Sequence, residues 1–237
     1  MNDACVSYNL GPTRGMSRTC ELSDTDHVGF PDHVVGKEGA EYCPIRSPCS
    51  SKSCPADLIC KPDFSWDTFR CSCYISKLLG MEDGRIPDSA ITASSSWDLL
   101  GHGPHQGRLN YIQPPEITTF SSWCWSSSLL KAGEYLQVFL DGEFNVDGVA
   151  TQGRPPKTLD LQWVKSYTIS YSLNGTDWME YEEDGTSTPK IFEANSDGTT
   201  IVKHKLTPFK AKFVRIVVQT WHTHISLRME LYGCKSQ

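Results

Sequence analysis

The sequence predicts an all-β fold, an antiparallel sandwich or barrel, preceded by a small disulfide-rich region. Three observations predict it. Cysteine is crowded at one end, apolar and polar residues alternate over the remainder, and no segment keeps a helical 3.6-residue period for three turns. Eight of the ten cysteines (Cys5, Cys20, Cys43, Cys49, Cys54, Cys60, Cys71 and Cys73) fall in the first 73 residues. Such density with few aliphatic side chains suits a small oxidised module in which cross-links stand in for a core. Zinc is the competing use of these thiols. Cys71-Ser72-Cys73 has a single intervening residue and no Cys-x-x-Cys occurs, so ordinary zinc spacing is missing and disulfides are expected.

Residues 1–48 are polar and turn-rich, residues 49–73 carry the tightest cysteine spacing, and Tyr74 to Gly80 form a short joint. The strand pattern begins beyond it. Tyr135 to Leu140 alternates and then meets Asp141-Gly142, which predicts a strand closed by a turn. Val146 to Thr151 is a second strand, ended by Gly153 and Pro155-Pro156. Ser166 to Ser172 runs into Asn174-Gly175, a strong hairpin signal, and the chain returns through Trp178, Met179 and Tyr181. Phe213 to Val218 and Leu227 to Tyr232 complete the set.

The 237 residues are 38% hydrophobic and 11% aromatic, enough for a packed core. The net charge of -6 and the lack of a basic run argue against nucleic acid as partner. An anionic membrane stays open, because a local patch matters more than the sum. No apolar stretch reaches 18 residues, so no spanning helix is expected. Met1 to Cys5 lacks a basic start and no apolar signal run follows. The expectation is a secreted or cell-surface protein whose N-terminus is truncated.

Several segments together resemble the discoidin (coagulation factor V/VIII type C) domain family. They are Leu79-Gly80-Met81-Glu82-Asp83-Gly84-Arg85-Ile86-Pro87-Asp88, Ile91-Thr92-Ala93-Ser94-Ser95, Gly107-Arg108-Leu109-Asn110, Trp123-Cys124 and Glu134 to Val138, followed by Gly148 to Arg154, Val164 to Tyr167, Asn174 to Trp178 and Leu227 to Cys234. The resemblance implies a discoidin-type jelly-roll β-sandwich of eight strands over residues 73–237, tied end to end by Cys73 and Cys234. Cys49, Cys54, Cys60, Cys71 and Cys73 are similar to five of the six cysteines of an EGF-like module. That likeness implies a partial module over residues 46–73 paired Cys49–Cys60 and Cys54–Cys71, with Cys73 left for the discoidin domain. Cys5-Val6-Ser7-Tyr8-Asn9 and Thr19-Cys20-Glu21-Leu22 resemble the end of a PAN/apple module, which implies a truncated segment over residues 1–45.

No Gly-x-Ser-x-Gly, His-Glu-x-x-His or phosphate loop is present, so neither catalysis nor a cofactor is expected. Glu180, Glu182, Glu183 and Asp184 read as a solvated turn. His102 with His105, or His222 with His224, read as surface histidines rather than metal ligands. Recognition in the resembling family belongs to loops at one end of the sandwich. Three stretches fill those positions: 97–102 (Trp97, Asp98, Leu99, Leu100, His102), 111–120 (Ile117, Phe120) and 154–161 (Arg154, Lys157, Leu159, Asp160, Leu161). Members that bind phospholipid insert such apolar tips into the bilayer interface, and Arg154 and Lys157 would meet anionic headgroups. Alternatively, Leu100 and Leu161 fold back beneath the loops as local core.

Members that bind collagen or carbohydrate use a polar trench at the same end. Trp97 and Arg154 match positions of the collagen-binding receptors, but the acidic partner aligns with Gln162, and the partner of the Trp-Cys cysteine falls near Ser226. The expected partner is therefore a membrane phospholipid or a cell-surface or matrix glycan or glycoprotein. A structural matrix role through contact with collagen or another protein is the rival. The Arg-Gly-Asp of some related adhesion proteins is absent. Asn174-Gly175-Thr176 is a glycosylation sequon, and a tight turn accounts for the same residues without a sugar.

Overall fold

The computed structural model describes residues 7–11, 20–23, 38, 40–44, 49, 54, 58–63, 68–73, 75–111, 123–155, 161–183 and 187–236. The chain divides into two compact units, Met1–Ser72 and Cys73–Gln237.

In the first unit, β1 (Ser7–Leu10) lies between β2 (Cys20–Ser23) and β3 (Glu41–Pro44) in a three-stranded antiparallel sheet. A separate two-stranded sheet joins β4 (Leu58–Asp63) to β5 (Thr68–Cys73). Cys49 bonds to Cys60 and Cys54 to Cys71, with Cα atoms 5.8 and 5.5 Å apart. Cys20 is exposed, and Cys5 lies outside the described residues. Among the described residues, every buried apolar side chain belongs to the second unit.

Among its described residues that unit is all β apart from two short 3-10 turns, Asp88–Ala90 and Pro104–Gln106. Its strands are β6 (Lys77–Leu78), β7 (Ile91–Ala93), β8 (Trp125–Ser126), β9 (Tyr135–Gln152), β10 (Trp163–Ser172), β11 (Met179–Glu180), β12 (Phe192–Glu193), β13 (Val202–His222) and β14 (Ser226–Lys235). Among the described residues nine strands are hydrogen-bonded in one network.

Two strands of 18 and 21 residues, β9 and β13, create the sandwich by serving both layers. In one layer Tyr135–Phe139 of β9 lies between β7 and residues 213–217 of β13, which in turn pairs with β10. In the other, residues 144–151 of β9 lie between residues 202–211 of β13 and β14, with β6 beyond. The strands change layer where the register of β13 on β9 shifts, between Lys205 and Phe209 and between Ala211 and Phe213. Bulges of this kind bend a strand and raise its local twist.

The expected turn at Asp141-Gly142 is corrected by this bend. The chain does not reverse there. Gly142 takes φ +120°, a conformation that side chains disfavour, and β9 continues through it. The segments Tyr135 to Leu140 and Val146 to Thr151 are thus two halves of one strand, and Phe213 to Val218 is part of the longer β13.

The layers meet over a single core. Leu136, Val138 and Leu140 point inward from β9 at the strand period of two and meet Val164, Tyr167, Ile169, Val214, Ile216, Leu227, Met229 and Leu231. Trp125 is fully buried, and its indole N–H donates to Ser95 O at 2.9 Å. The buried Arg108 donates to Met81 O and Ile86 O and meets Asp88 at 2.5 Å. The fully buried Glu230 accepts the amides of Met81 at 3.2 Å and Glu82 at 2.8 Å, so both side chains fasten the segment before β7 to the sheet.

The registers separate two ends. Cys234 pairs with Asn145 at the bend of β9, and its bond to Cys73 (Cα–Cα 5.8 Å) therefore sits at the bend end. Ser172, opposite Phe213, brings the β10–β11 turn to that end as well. Trp163, opposite His222, and Ser226, opposite Ser126, mark the other end. The cleft residues Trp97, Ser126, Arg154, Gln162 and His224 lie there.

Candidate recognition end

The loop after β7 begins on a buried carboxylate. Glu134, 2% exposed, accepts hydrogen bonds from the hydroxyls of Ser94 (2.6 Å), Ser95 (2.5 Å) and Ser127 (2.9 Å). Burial alone would raise its pKa. The three hydroxyls and the nearby Lys131 outweigh that and hold it below the usual glutamate value. Two residues beyond Ser95, Trp97 N donates to Ser126 O at 2.9 Å.

Asp98 then closes the tip. One carboxylate oxygen accepts the Gly101 amide and the other meets His102 Nδ1 at 2.5 Å. Gln106 Nε2 donates to Leu100 O at 2.8 Å. Burial pushes the Asp98 pKa upward, but the Gly101 amide and His102 bring it below the ordinary aspartate value. This turn holds three large apolar side chains outward: Trp97 is 63% exposed, Leu99 72% and Leu100 87%. Leu161, before β10, is 52% exposed. Neither Leu100 nor Leu161 folds back as core.

Beside the tip lies a cleft of about 270 Å³ lined by Trp97, His102, Ser126, Arg154, Gln162 and His224. Arg154 follows β9 and Gln162 precedes β10. Their backbones meet through Arg154 N and Gln162 O at 2.9 Å, and Arg154 Nη1 donates to Gln162 Oε1 at 2.9 Å. Ser226 Oγ donates to the same Oε1 at 3.0 Å and lies 2.9 Å from Ser126 Oγ. The buried thiol of Cys124 is 3.6 Å from Ser126 Oγ. Gln162, in the place of an acidic residue, thus makes a neutral acceptor that orients Arg154.

His224 stands edge-on to Trp97, with ring centroids 5.6 Å apart. Burial pushes its pKa below the usual histidine value. A bond to Ile225 O works the other way, and the neighbouring His102 and Arg154 add to the lowering. His222 stacks on Trp163 at 4.2 Å, and among the described residues no group of three His, Cys, Asp or Glu side chains could hold a metal. An indole face, a guanidinium, two imidazoles, a hydroxyl and an amide suit a polar or anionic group with an apolar neighbour.

The structure brings Trp97, His102 and Arg154 together, with Asp98 bonded to His102 and Leu99 and Leu100 exposed on the same loop. Ile117, Phe120, Lys157, Leu159 and Asp160 lie outside the described residues. Sequence reasoning missed Ser126 and His224 as lining residues. Both flank the pairing of β8 with β14, and recognising the β13–β14 turn as part of this end would have found them.

The F5/8 type C domain model matches residues 90–231 of the chain. Lactadherin of Rattus norvegicus is 40% identical over 165 residues, a match covering 67% of this chain and 36% of that protein. Neuropilin-2 of Homo sapiens is 34% identical over 230 residues, covering 88% of this chain and 22% of that protein. Discoidin II of Dictyostelium discoideum superposes with a TM-score of 0.54 at 30% identity, over 62% of this chain and 56% of that one. The chain spans well under half the length of these curated relatives. By the extent of the match and the layered fold that carries it, the chain belongs to the F5/8 type C domain family.

Proposed function

We propose that this chain is an extracellular adhesion protein that docks on membrane phospholipid through the recognition end of its C-terminal unit. One observation carries the proposal: Trp97, Leu99, Leu100 and Leu161 stand exposed at one end, the first three on a single hydrogen-bonded turn. Singly exposed apolar residues need no explanation, but a rigid cluster does. Each tip buried in a bilayer interface contributes roughly 1.5–3 kcal/mol. The cleft then faces the polar heads, where Arg154 and His224 meet a phosphate or carboxylate. The three disulfides support the extracellular setting. No helix among the described residues is long and apolar enough to cross a membrane, so attachment would be peripheral in this part of the chain.

A second reading, a glycan held in the cleft, is favoured by the Trp97 face opposite the polar wall of Arg154 and Gln162. Sedimentation with phosphatidylserine-containing vesicles separates the two. The chain is expected to sediment, and the double variant Trp97→Ala, Leu99→Ala to stay in solution with its melting temperature unchanged. Indifference to vesicles with retention on a glycan array supports the second reading. Retention on neither surface defeats both and favours a matrix partner that is a protein.

A further inference from the structure

We propose that Asn174 is an N-glycosylation site whose sugar stands at the bend end of the sandwich and leaves the recognition end open. Asn174-Gly175-Thr176 is the one Asn-x-Ser/Thr in the 237 residues, so any N-linked sugar has a single address. The side chain is exposed on the turn between β10 and β11, where Gly175 takes φ +78°.

The hydrogen bonds of this turn tolerate the modification. Asn174 Oδ1 accepts the amides of Thr176 and Asp177, both at 2.9 Å. Ser172 Oγ receives the Gly175 amide at 2.9 Å and donates to Asn174 Oδ1 at 3.1 Å. Glycosylation touches none of these acceptors. The Asn174 Nδ2 nitrogen displaces a pyrophosphate leaving group from the anomeric carbon of a lipid-linked oligosaccharide donor, forms the C–N bond, and releases one of its two hydrogens as a proton. The 2.7 Å bond to Asp177 Oδ2 is the one contact of the turn made by the modified nitrogen itself. All these bonds fall within residues 172–177, so the turn can form in a chain still folding. The disulfides require the oxidising secretory route in which such donors act.

Placement follows from β10. Its first residue, Trp163, adjoins the cleft residue Gln162, and its last, Ser172, opens the sugar-bearing turn. At about 3.3 Å per residue the strand sets the two roughly 30 Å apart.

The test expresses the full chain behind a secretion leader in a eukaryotic host. The intact mass is expected to exceed that of the polypeptide by one oligosaccharide. Peptide N-glycanase should remove the excess and leave aspartate at position 174. Asn174→Gln and Thr176→Ala should each abolish it, the latter with the asparagine intact. Secreted, disulfide-bonded protein of bare polypeptide mass would overturn the site. Hydroxyl-radical footprinting of Trp97 and Leu99, equal with and without the sugar, is expected from the placement; protection by the sugar would overturn it. Neither readout depends on the ligand, so the docking proposal stands or falls separately.

Discussion

The two ends of the sandwich are finished in opposite ways. At the bend end β9 and β13 turn from one layer to the other, Cys73 is bonded to Cys234, and the β10–β11 turn satisfies its own polar groups. At the recognition end the chain is equally well tied, by Glu134 with three serines and by Asp98 with Gly101 and His102, yet those ties hold Leu99 and Leu100 out in water. Rigidity at one end stabilises the fold. At the other it keeps apolar groups from hiding, which costs stability and prepares binding.

Breaking the bend end should have the largest effect on stability. The Cys73–Cys234 bond closes a loop with a sequence separation of 161, and the chain-entropy relation assigns such a loop roughly 5 kcal/mol. The double variant Cys73→Ser, Cys234→Ser should lose several kcal/mol in denaturant titration while vesicle sedimentation, measured well below its melting point, stays intact. Lost docking under folded conditions would show that the ends are not independent.

Next comes the shared interior. Trp125→Ala removes a fully buried indole that packs in the core and supports Ser95, and should cost about 3–5 kcal/mol. Unlike the cysteine change, it should weaken stability and docking together, because Ser95 belongs to the base of the Trp97 loop.

Glu134 sharpens the contrast through pH. Its folded pKa lies below the ordinary 4.5, so as pH falls the unfolded chain takes up a proton first. Its contribution is complete above that ordinary value and is lost as pH descends through the folded one. Glu134→Gln should lose about 1.5–3 kcal/mol at neutral pH and flatten the acid limb of the stability curve. A variant as acid-sensitive as the parent would rule Glu134 out as the source.

The smallest effect is expected at His224. An anionic headgroup in the cleft favours the protonated ring, and the unliganded ring sits below the usual histidine pKa. Affinity for anionic vesicles should therefore rise a fewfold as pH falls from about 7.5 to about 5.5. His224→Ala should flatten that rise without abolishing docking.

The sequence foretold the strands where alternation is strict and failed where a strand bends. Asp141-Gly142 has the composition of a hairpin turn, and only the partners of β9 on both sides show that the chain passes through it. Asn174-Gly175, with nearly the same composition, is a real reversal, because β11 pairs back on Ser170 and Tyr171. Local chemistry cannot separate these two cases; long-range pairing does. The exposed Trp97, Leu99 and Leu100 were legible as apolar residues among turn formers. His224 was not, since a histidine in a polar loop carries no sign of the Trp97 edge it faces across the sandwich end.

The 5.8 Å between the Cα atoms of Cys73 and Cys234 has an architectural corollary. Polypeptide arrives and departs at nearly one point, on the pole remote from the loops. A fold with that layout can be spliced into a longer protein, or strung beside copies of itself, with no change to its interior. Any tension along the backbone runs through the sulfur bridge rather than across the hydrogen-bonded layers.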